Sequence, residues 1–357
     1  MLHLDGLRLE RVRASKQFRD GRFHNTSGAQ PGLQGNSLSV MGEFFFGRSR
    51  GPKGPLPVEN PLGAWAEPVS SGLRITWLGH STLLLEVDGL RILTDPVFGE
   101  RASPVSFAGA KRFHPTPVRI SELPELDAVL LSHDHYDHLC AASMRELARR
   151  NVPVITSLGV GARLEALGFA PQRITELDWW EEHVLPGGAL SFTATPAQHF
   201  SGRSLTDRNE TLWSTWVISS ARRRLFFSGD TGLTEEFAAV RQRFGAFDVV
   251  MLEIGAWNPA WGSIHLGPEN ALRAFELLGG GSLLPVHWST FDLALHPWDE
   301  PAETLLRLAQ PAGARVLTPL LGRPFEPAHV DGPTPWWRAV GASRAAMPLR
   351  AVTEPEH

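Results

Sequence analysis

Asp127-Ala128-Val129-Leu130-Leu131-Ser132-His133-Asp134-His135-Tyr136-Asp137-His138 is the stretch whose reading decides the fold. The apolar run from Asp127 to Leu131 reads as a buried strand that ends in a loop. The six residues that follow put four potential metal ligands, His133, His135, Asp137 and His138, on one short turn. Imidazole and carboxylate are borderline ligands suited to zinc and its neighbours in the divalent series. The whole chain holds only 14 histidines. A purely structural role would leave three crowded imidazoles with nothing to neutralise the acid or orient the rings. The turn therefore reads as a metal site.

On either side the pattern is that of a layered α/β domain. Strands are predicted at Leu73–Leu78, Thr82–Val87 and Arg91–Thr94, with Asp88-Gly89 as a hairpin turn. Ser143–Arg150 is helical, Val152–Thr156 a short strand and Gly161–Leu167 a helix. Further strands are predicted at Ala189–Thr195, Trp213–Ser219, Arg224–Ser228, Asp248–Ile254 and Ser282–Val286. Helices at Thr234–Phe244 and Pro268–Leu278 separate several of these, with Pro268 in a first helical turn and Gly279-Gly280-Gly281 as the stop. Two halves of strand blocks followed by strand–helix units imply two sheets back to back, with helices outside, in one domain.

Residues 1–70 read as an extension packing on that core, and Gly47 to Pro68 is rich in Gly and Pro without a periodic pattern. Phe44-Phe45-Phe46 is expected to anchor the extension, since exposed apolar patches are costly. The core domain is set at 71–325 and a C-terminal tail at 326–357.

Composition narrows the function. The chain has 357 residues, 42% apolar and 20% charged, which is the balance of a soluble globular protein. Its formal charge of −4 lacks the basic excess of a nucleic-acid binder. Arg222-Arg223-Arg224, between two strand-like segments, reads as a solvated hairpin turn in preference to a phosphate patch. Cys140 is the only cysteine, so no internal disulfide is possible and a reducing, cytoplasmic setting is expected. It sits two residues past His138; a small residue buried under the metal loop is preferred over a thiolate ligand. The N-terminal sequence lacks the apolar centre of a secretory signal, and no apolar stretch approaches the roughly 18 residues of a membrane span. At most a peripheral membrane contact is left open. Twelve Trp accompany a single Tyr, Tyr136. Each Trp is read first as packing, although Trp179-Trp180, Trp257/Trp261 and Trp288/Trp298 could line a cleft for an apolar substrate.

Three later strand ends carry more candidate ligands: His199, Asp230 in Ser228-Gly229-Asp230-Thr231-Gly232, and His287 in Pro285-Val286-His287-Trp288. Strand ends in layered folds converge on one edge. Each residue alone is a weak signal. Taken in order with His133-Asp134-His135-Tyr136-Asp137-His138, they resemble the metallo-β-lactamase superfamily pattern HxHxDH…H…D…H over roughly residues 73–325. That resemblance implies a four-layer αββα sandwich with a dinuclear site on one edge. It implies one metal on His133, His135 and His199, a second on Asp137, His138 and His287, and Asp230 bridging the two. Zinc is the default, with Mn2+ or Fe2+ as alternatives.

Within the superfamily, several stretches resemble the branch of N-acylphosphatidylethanolamine-hydrolysing phospholipase D. They are Trp77-Leu78-Gly79-His80-Ser81-Thr82, Thr94-Asp95-Pro96-Val97-Phe98, Gln198-His199-Phe200-Ser201-Gly202-Arg203, Asp207-Arg208-Asn209-Glu210-Thr211-Leu212-Trp213 and His265-Leu266-Gly267-Pro268-Glu269. The expected activity is hydrolysis of a small-molecule or lipid phosphodiester by a metal-activated hydroxide, with Asp137, Asp230 and His265 in the catalytic set. Two divalent ions about 3.5–4 Å apart suit such a displacement. The neighbouring sugar-lactone hydrolase branch gives the alternative, a lactone or acyl-ester hydrolase; a non-catalytic metal-binding scaffold is the third reading. An RNA-processing nuclease is disfavoured by the charge.

Around the ligands, Asp95 suits a carboxylate that fixes a ligand's tautomer, or is a turn residue before Pro96. His80 lies on the same predicted edge. Asp134 points away from the ligand turn and is left for a supporting carboxylate or general acid/base. His265 opens a helix and is read as a substrate-facing acid or phosphate hydrogen-bond donor, or an ordinary helix-start residue. Arg203 and Arg208 either bind a phosphate or carboxylate bidentately or lie on the surface.

Overall fold

Alternate residues of the apolar strands feed two different cores. Leu73, Ile75, Trp77, Leu83, Leu85, Ile92, Ala128 and Leu130 join one cluster, while Leu78, Leu84, Leu93, Val129 and Leu131 join another. A strand buried on both faces belongs in the middle of a layered fold. The computed structural model, which describes residues 4–28, 50–105, 107–204 and 206–340, shows that arrangement.

The first seven-stranded sheet runs Ile174–Leu177, Val154–Ser157, Ala128–Leu131, Leu90–Thr94, Thr82–Val87, Leu73–Gly79 and Pro324–Phe325 in spatial order. The second runs Glu182–Val184, Ser191–Thr195, Thr215–Ser219, Arg224–Phe227, Val249–Glu253, Ser282–Val286 and Arg315–Val316. Phe192, Trp216, Phe226 and Phe227 of the second sheet share the larger core with the first. Helices Ala141–Arg149 and Gly161–Ala166 close the second cluster through Met144, Leu147 and Leu164. Helices Glu236–Phe244, Gly267–Leu277 and Glu300–Ala309 pack Phe237, Val240, Ala274, Phe275 and Leu305 on the other sheet. The result is the expected αββα sandwich.

Within each sheet, antiparallel pairing gives way to parallel. Leu90–Thr94, Ala128–Leu131, Val154–Ser157 and Ile174–Leu177 are parallel, as are Arg224–Phe227 through Arg315–Val316. Parallel strands bring their carboxyl ends to one edge, where irregular loops can present side chains. That edge receives Asp95, the His133–His138 turn, Asp230, Glu253 and His287.

The predicted turns hold. Val87 pairs with Leu90 across Asp88-Gly89, whose φ values of +49° and +89° fit a tight hairpin. The cationic run lies in the hairpin where Ser219 pairs with Arg224. Arg222 is bonded to Asp88, and Arg223 to Asp248 at 2.9 Å, so the run pins neighbouring turns together.

Elements outside the expected set also form. Residues 4–28 form the helix Gly6–Ala14 and the hairpin Phe18–Arg19/Arg22–Phe23, docked by Arg8 onto Glu165 and Glu176. Pro324–Phe325 adds an edge strand, a position that tolerates proline. The stretch set apart as a tail from 326 enters the core as far as Trp336 and Trp337, which pack around the stacked Trp77–Trp288 pair. Phe44–Phe46 and residues 341–357 lie outside the described residues. No helix among the described residues is long and apolar enough to cross a membrane.

Candidate metal centre

Ala128–Leu131 ends at Ser132, whose N–H and hydroxyl both donate to Asp95, at 2.7 Å each. The chain then folds back on itself, with the His135 carbonyl accepting from His138 and Leu139 before Ala141–Arg149 begins. Opposite, the strand ending at Phe227 enters the loop of Asp230. Gly232 is required in that loop, because a Cβ there would fall 1.7 Å from the Ser263 carbonyl oxygen.

Two donor sets result. In the first, His135 Nδ1 lies 2.9 Å from His133 Nε2 and 3.3 Å from His199 Nε2. A tetrahedron of about 2.0–2.1 Å Zn–N bonds has edges of about 3.3 Å, so these nitrogens fit one ion. In the second, Asp137 Oδ2 lies 3.3 Å from His287 Nε2 and 3.6 Å from His138 Nε2. Asp230 stands between them. Its Oδ1 is 3.1 Å from His138 and 3.2 Å from His287, while its Oδ2 is 3.9 Å from His133 and 3.7 Å from His199. His138 Nε2 and Asp230 Oδ1 are buried without a hydrogen-bond partner, a cost that a bound cation would remove. All seven residues read as ligands in the sequence are therefore brought together, and both sets can hold a metal ion.

The surroundings set the tautomers. His138 Nδ1 donates to Asp95 at 2.6 Å and His199 Nδ1 to the Ile264 carbonyl at 2.9 Å. Ser132 Oγ, its proton spent on Asp95, accepts from His133 Nδ1 at 2.9 Å. Each ring thus keeps Nε2 as a lone pair for the site. Burial, reinforced by neighbouring imidazoles, holds His133 and His199 well below the ordinary histidine range, in the neutral form that ligates. Burial also opposes charge on His287, but Asp230 and then Asp137 outweigh it and push it up to about 10. Burial would raise Asp137, and His138 reverses this and holds it well below the carboxylate range.

The remaining candidates take different places. Asp134 is fully buried, accepting from Gly202 at 2.8 Å and pairing with Arg163 at 3.1 Å; it acts as a supporting carboxylate that ties the ligand turn to the Gly202 loop and to the helix Gly161–Ala166. Arg203 is half-buried. It donates to the carbonyls of Asp134 and Leu139 and stacks 3.9 Å over Tyr136, bracing the same turn. Arg208 lies 5.3 Å over Phe200 on the cleft wall. Cys140 is buried beside Val97 and Phe291, outside every ligand set among the described residues. Of the paired tryptophans, Trp261 lines the cleft, while Trp179, Trp288 and Trp298 are core.

Two residues take a larger part than the sequence indicated. His80 Nε2 is 3.0 Å from Asp137 Oδ2, and its ring lies 3.9 Å from that of His287. Burial lowers its pKa to about 3, so a neutral His80 donates to the carboxylate. Glu253 was missed. It is fully buried, takes His265 Nδ1 at 2.6 Å and the Thr231 N–H at 2.6 Å, and comes within 3.8 Å of His287 Nδ1. A lone acid closing the apolar strand Val249–Glu253 was the available signal.

The ligands floor a cleft of about 520 Å³. Its walls include Phe200, Trp261, Ile264 and Leu293 on the apolar side, with Arg208 and His265 as cationic or donor groups.

With this geometry in place, the chain is a metal-dependent hydrolase of the beta-lactamase superfamily. It belongs to that family on the match of its residues 90–288, more than half its length, to the Beta-lactamase superfamily domain. An uncharacterized protein of Mycobacterium tuberculosis is 42% identical over 331 residues, covering 91% of this chain and 88% of its own. N-acyl-phosphatidylethanolamine-hydrolyzing phospholipase D 1 of Caenorhabditis elegans is 35% identical over 312 residues, covering 83% of this chain and 87% of its own. Igni18, a metallo hydrolase of Ignicoccus hospitalis, shares the fold at a TM-score of 0.55 and 23% identity, covering 71% of this chain and 98% of its own.

Proposed function

We propose that the chain hydrolyses a phosphodiester, most readily one carrying an apolar group, with two divalent ions, zinc first, held by His133, His135 and His199 and by Asp137, His138 and His287. The observation that carries this is Asp230, whose two oxygens face the two donor sets separately. The open cleft with one apolar wall favours an amphiphile over a sugar lactone. The phospholipase relative from Caenorhabditis elegans points the same way.

Bound ions would polarise a phosphoryl oxygen and make a water acidic enough to deprotonate near neutral pH. The chain's own residues do the rest. With Nδ1 bonded to Glu253, His265 has Nε2 left for the bound anion or its leaving oxygen. Glu253 outweighs burial and raises the His265 pKa, so the donor form is favoured. Arg208 supplies positive charge to an anionic group on the wall.

Metal quantification of purified protein, followed by a panel of bis-aryl phosphodiesters, N-acylphosphatidylethanolamine, other phospholipids and lactones, tests this reading. Two ions per chain with phosphodiester turnover is expected. Turnover of lactones alone would overturn it.

A further inference from the structure

His199 is the one member of its donor set that does not sit on the His133–His138 turn. It follows Ser191–Thr195 through an irregular loop, so nothing in the sheet ladder fixes its backbone. The fixing comes from far away in sequence. The Asn25 side chain donates Nδ2 to the His199 carbonyl at 3.0 Å and accepts the His199 N–H on Oδ1 at 3.0 Å. One amide thus satisfies both backbone groups of one residue, as a neighbouring strand would. Trp213 Nε1 also donates to Oδ1, at 3.1 Å, which holds the amide in that orientation. Asn25 is only 4% exposed, so water cannot substitute cheaply for these bonds.

The contact belongs to a larger clasp. Phe23 exchanges backbone and side-chain hydrogen bonds with Asn209, at 2.9 and 3.1 Å, and is packed among Val12, Leu158, Trp179, Leu212 and Trp213. Ser27 bonds Gln198, the residue before His199, at 2.6 Å. With the backbone held by Asn25 and Nδ1 held by the Ile264 carbonyl, the imidazole is constrained from both ends. The other donor set is braced from within the sandwich: Asp137 lies 3.0 Å from His80 Nε2, and His138 donates to Asp95 at 2.6 Å.

We infer that Asn25 is a positioning residue for His199, and that the segment 4–28 is a working part of one metal position and not of the other. The inference rests on the two-metal reading above. It makes the two positions unequal: the one using His199 depends directly on an arm outside the sandwich, and the one using Asp137, His138 and His287 is braced by His80 and Asp95 of the sandwich.

The test titrates the metal-free full-length chain with Co2+, following the visible spectrum, and repeats the titration with Zn2+ by calorimetry. The variants are Asn25→Ala, Asn25→Ser and Phe23→Leu, the last loosening the arm's packing without touching His199. Asn25→Ala is expected to weaken one binding event about 10-fold or more, the scale for lost ligand support, and to leave the other within about twofold. Phe23→Leu should lower the urea midpoint and weaken the same binding event to a smaller degree. Asn25→Ser serves the same comparison if the alanine variant does not fold. Unchanged binding, or equal weakening of both events in the Asn25 and Phe23 variants, overturns the inference. Uptake of a single ion by the wild type sinks the two-metal reading instead, and an unaltered affinity for that ion in the Asn25 variants would still overturn the role of Asn25.

Discussion

Asp95 Oδ2 and His138 Nδ1 meet at 2.6 Å in a place where neither side chain reaches solvent. The same carboxylate holds Ser132, whose hydroxyl in turn accepts from His133. One acid therefore orients a proposed ligand in each donor set. Asp95→Asn keeps the shape but turns an NH2 or a weaker acceptor toward both partners. Metal affinity is expected to fall about 10–100-fold at both positions, with turnover falling alongside. Competition titration against a chelator measures it; affinities within twofold of wild type would rule the role out.

Asp230 gives the sharper test of the two-ion reading, because each of its oxygens serves a different set. Asp230→Asn removes the negative charge placed between them. The variant should retain less than two ions per chain after dialysis, and phosphodiester turnover should drop by about two orders of magnitude or more. Elemental analysis beside the rate assay decides. Two ions retained with full turnover would refute the bridge.

How much of this was legible in the sequence follows from what periodicity and spacing can carry. The long apolar strands and the ligand turn were readable because burial on two faces and dense His/Asp spacing are local patterns. Glu253 and Asn25 were not, since each acts on a residue that only the tertiary fold brings near: His265, 12 residues away, and His199, 174 away. The bracing role of Arg203 was hidden for a related reason. Its residue type signals phosphate, while its contacts with two backbone carbonyls and the Tyr136 ring are made by the fold. The short edge strands Glu182–Val184 and Pro324–Phe325 carry too few residues for any period to appear, and tertiary pairing alone forms them.

His265 separates chemistry from metal binding. It lines the cleft and leans on Glu253 at 2.6 Å. His265→Gln is expected to lower kcat by about 10²–10³, within the usual range for a lost proton donor, while ion content stays at the wild-type value. Glu253→Gln should reproduce part of that loss. A variant with normal kcat would return His265 to the role of an ordinary helix-start residue.

His114 supplies a pH dependence that belongs to the fold and not to the site. Burial, and then the adjacent Arg112, lowers its pKa to about 3, against the weaker pull of the Pro115 carbonyl. The unfolded chain takes up this proton near the ordinary histidine value of about 6.5, whereas the folded chain stays neutral until far lower pH. The stabilisation is therefore complete above about pH 6.5 and lost progressively as pH falls toward 3, by up to about 1.4 kcal/mol per unit. His114→Gln keeps a donor for Pro115 but has no proton to gain. Unfolding free energies from urea titration of the metal-free chains should show the wild type losing about 1.7 kcal/mol relative to the variant between pH 6.5 and pH 5, since the wild type loses this term and the variant does not. Parallel pH profiles over that interval would show that His114 is protonated in the folded chain as readily as in the unfolded one.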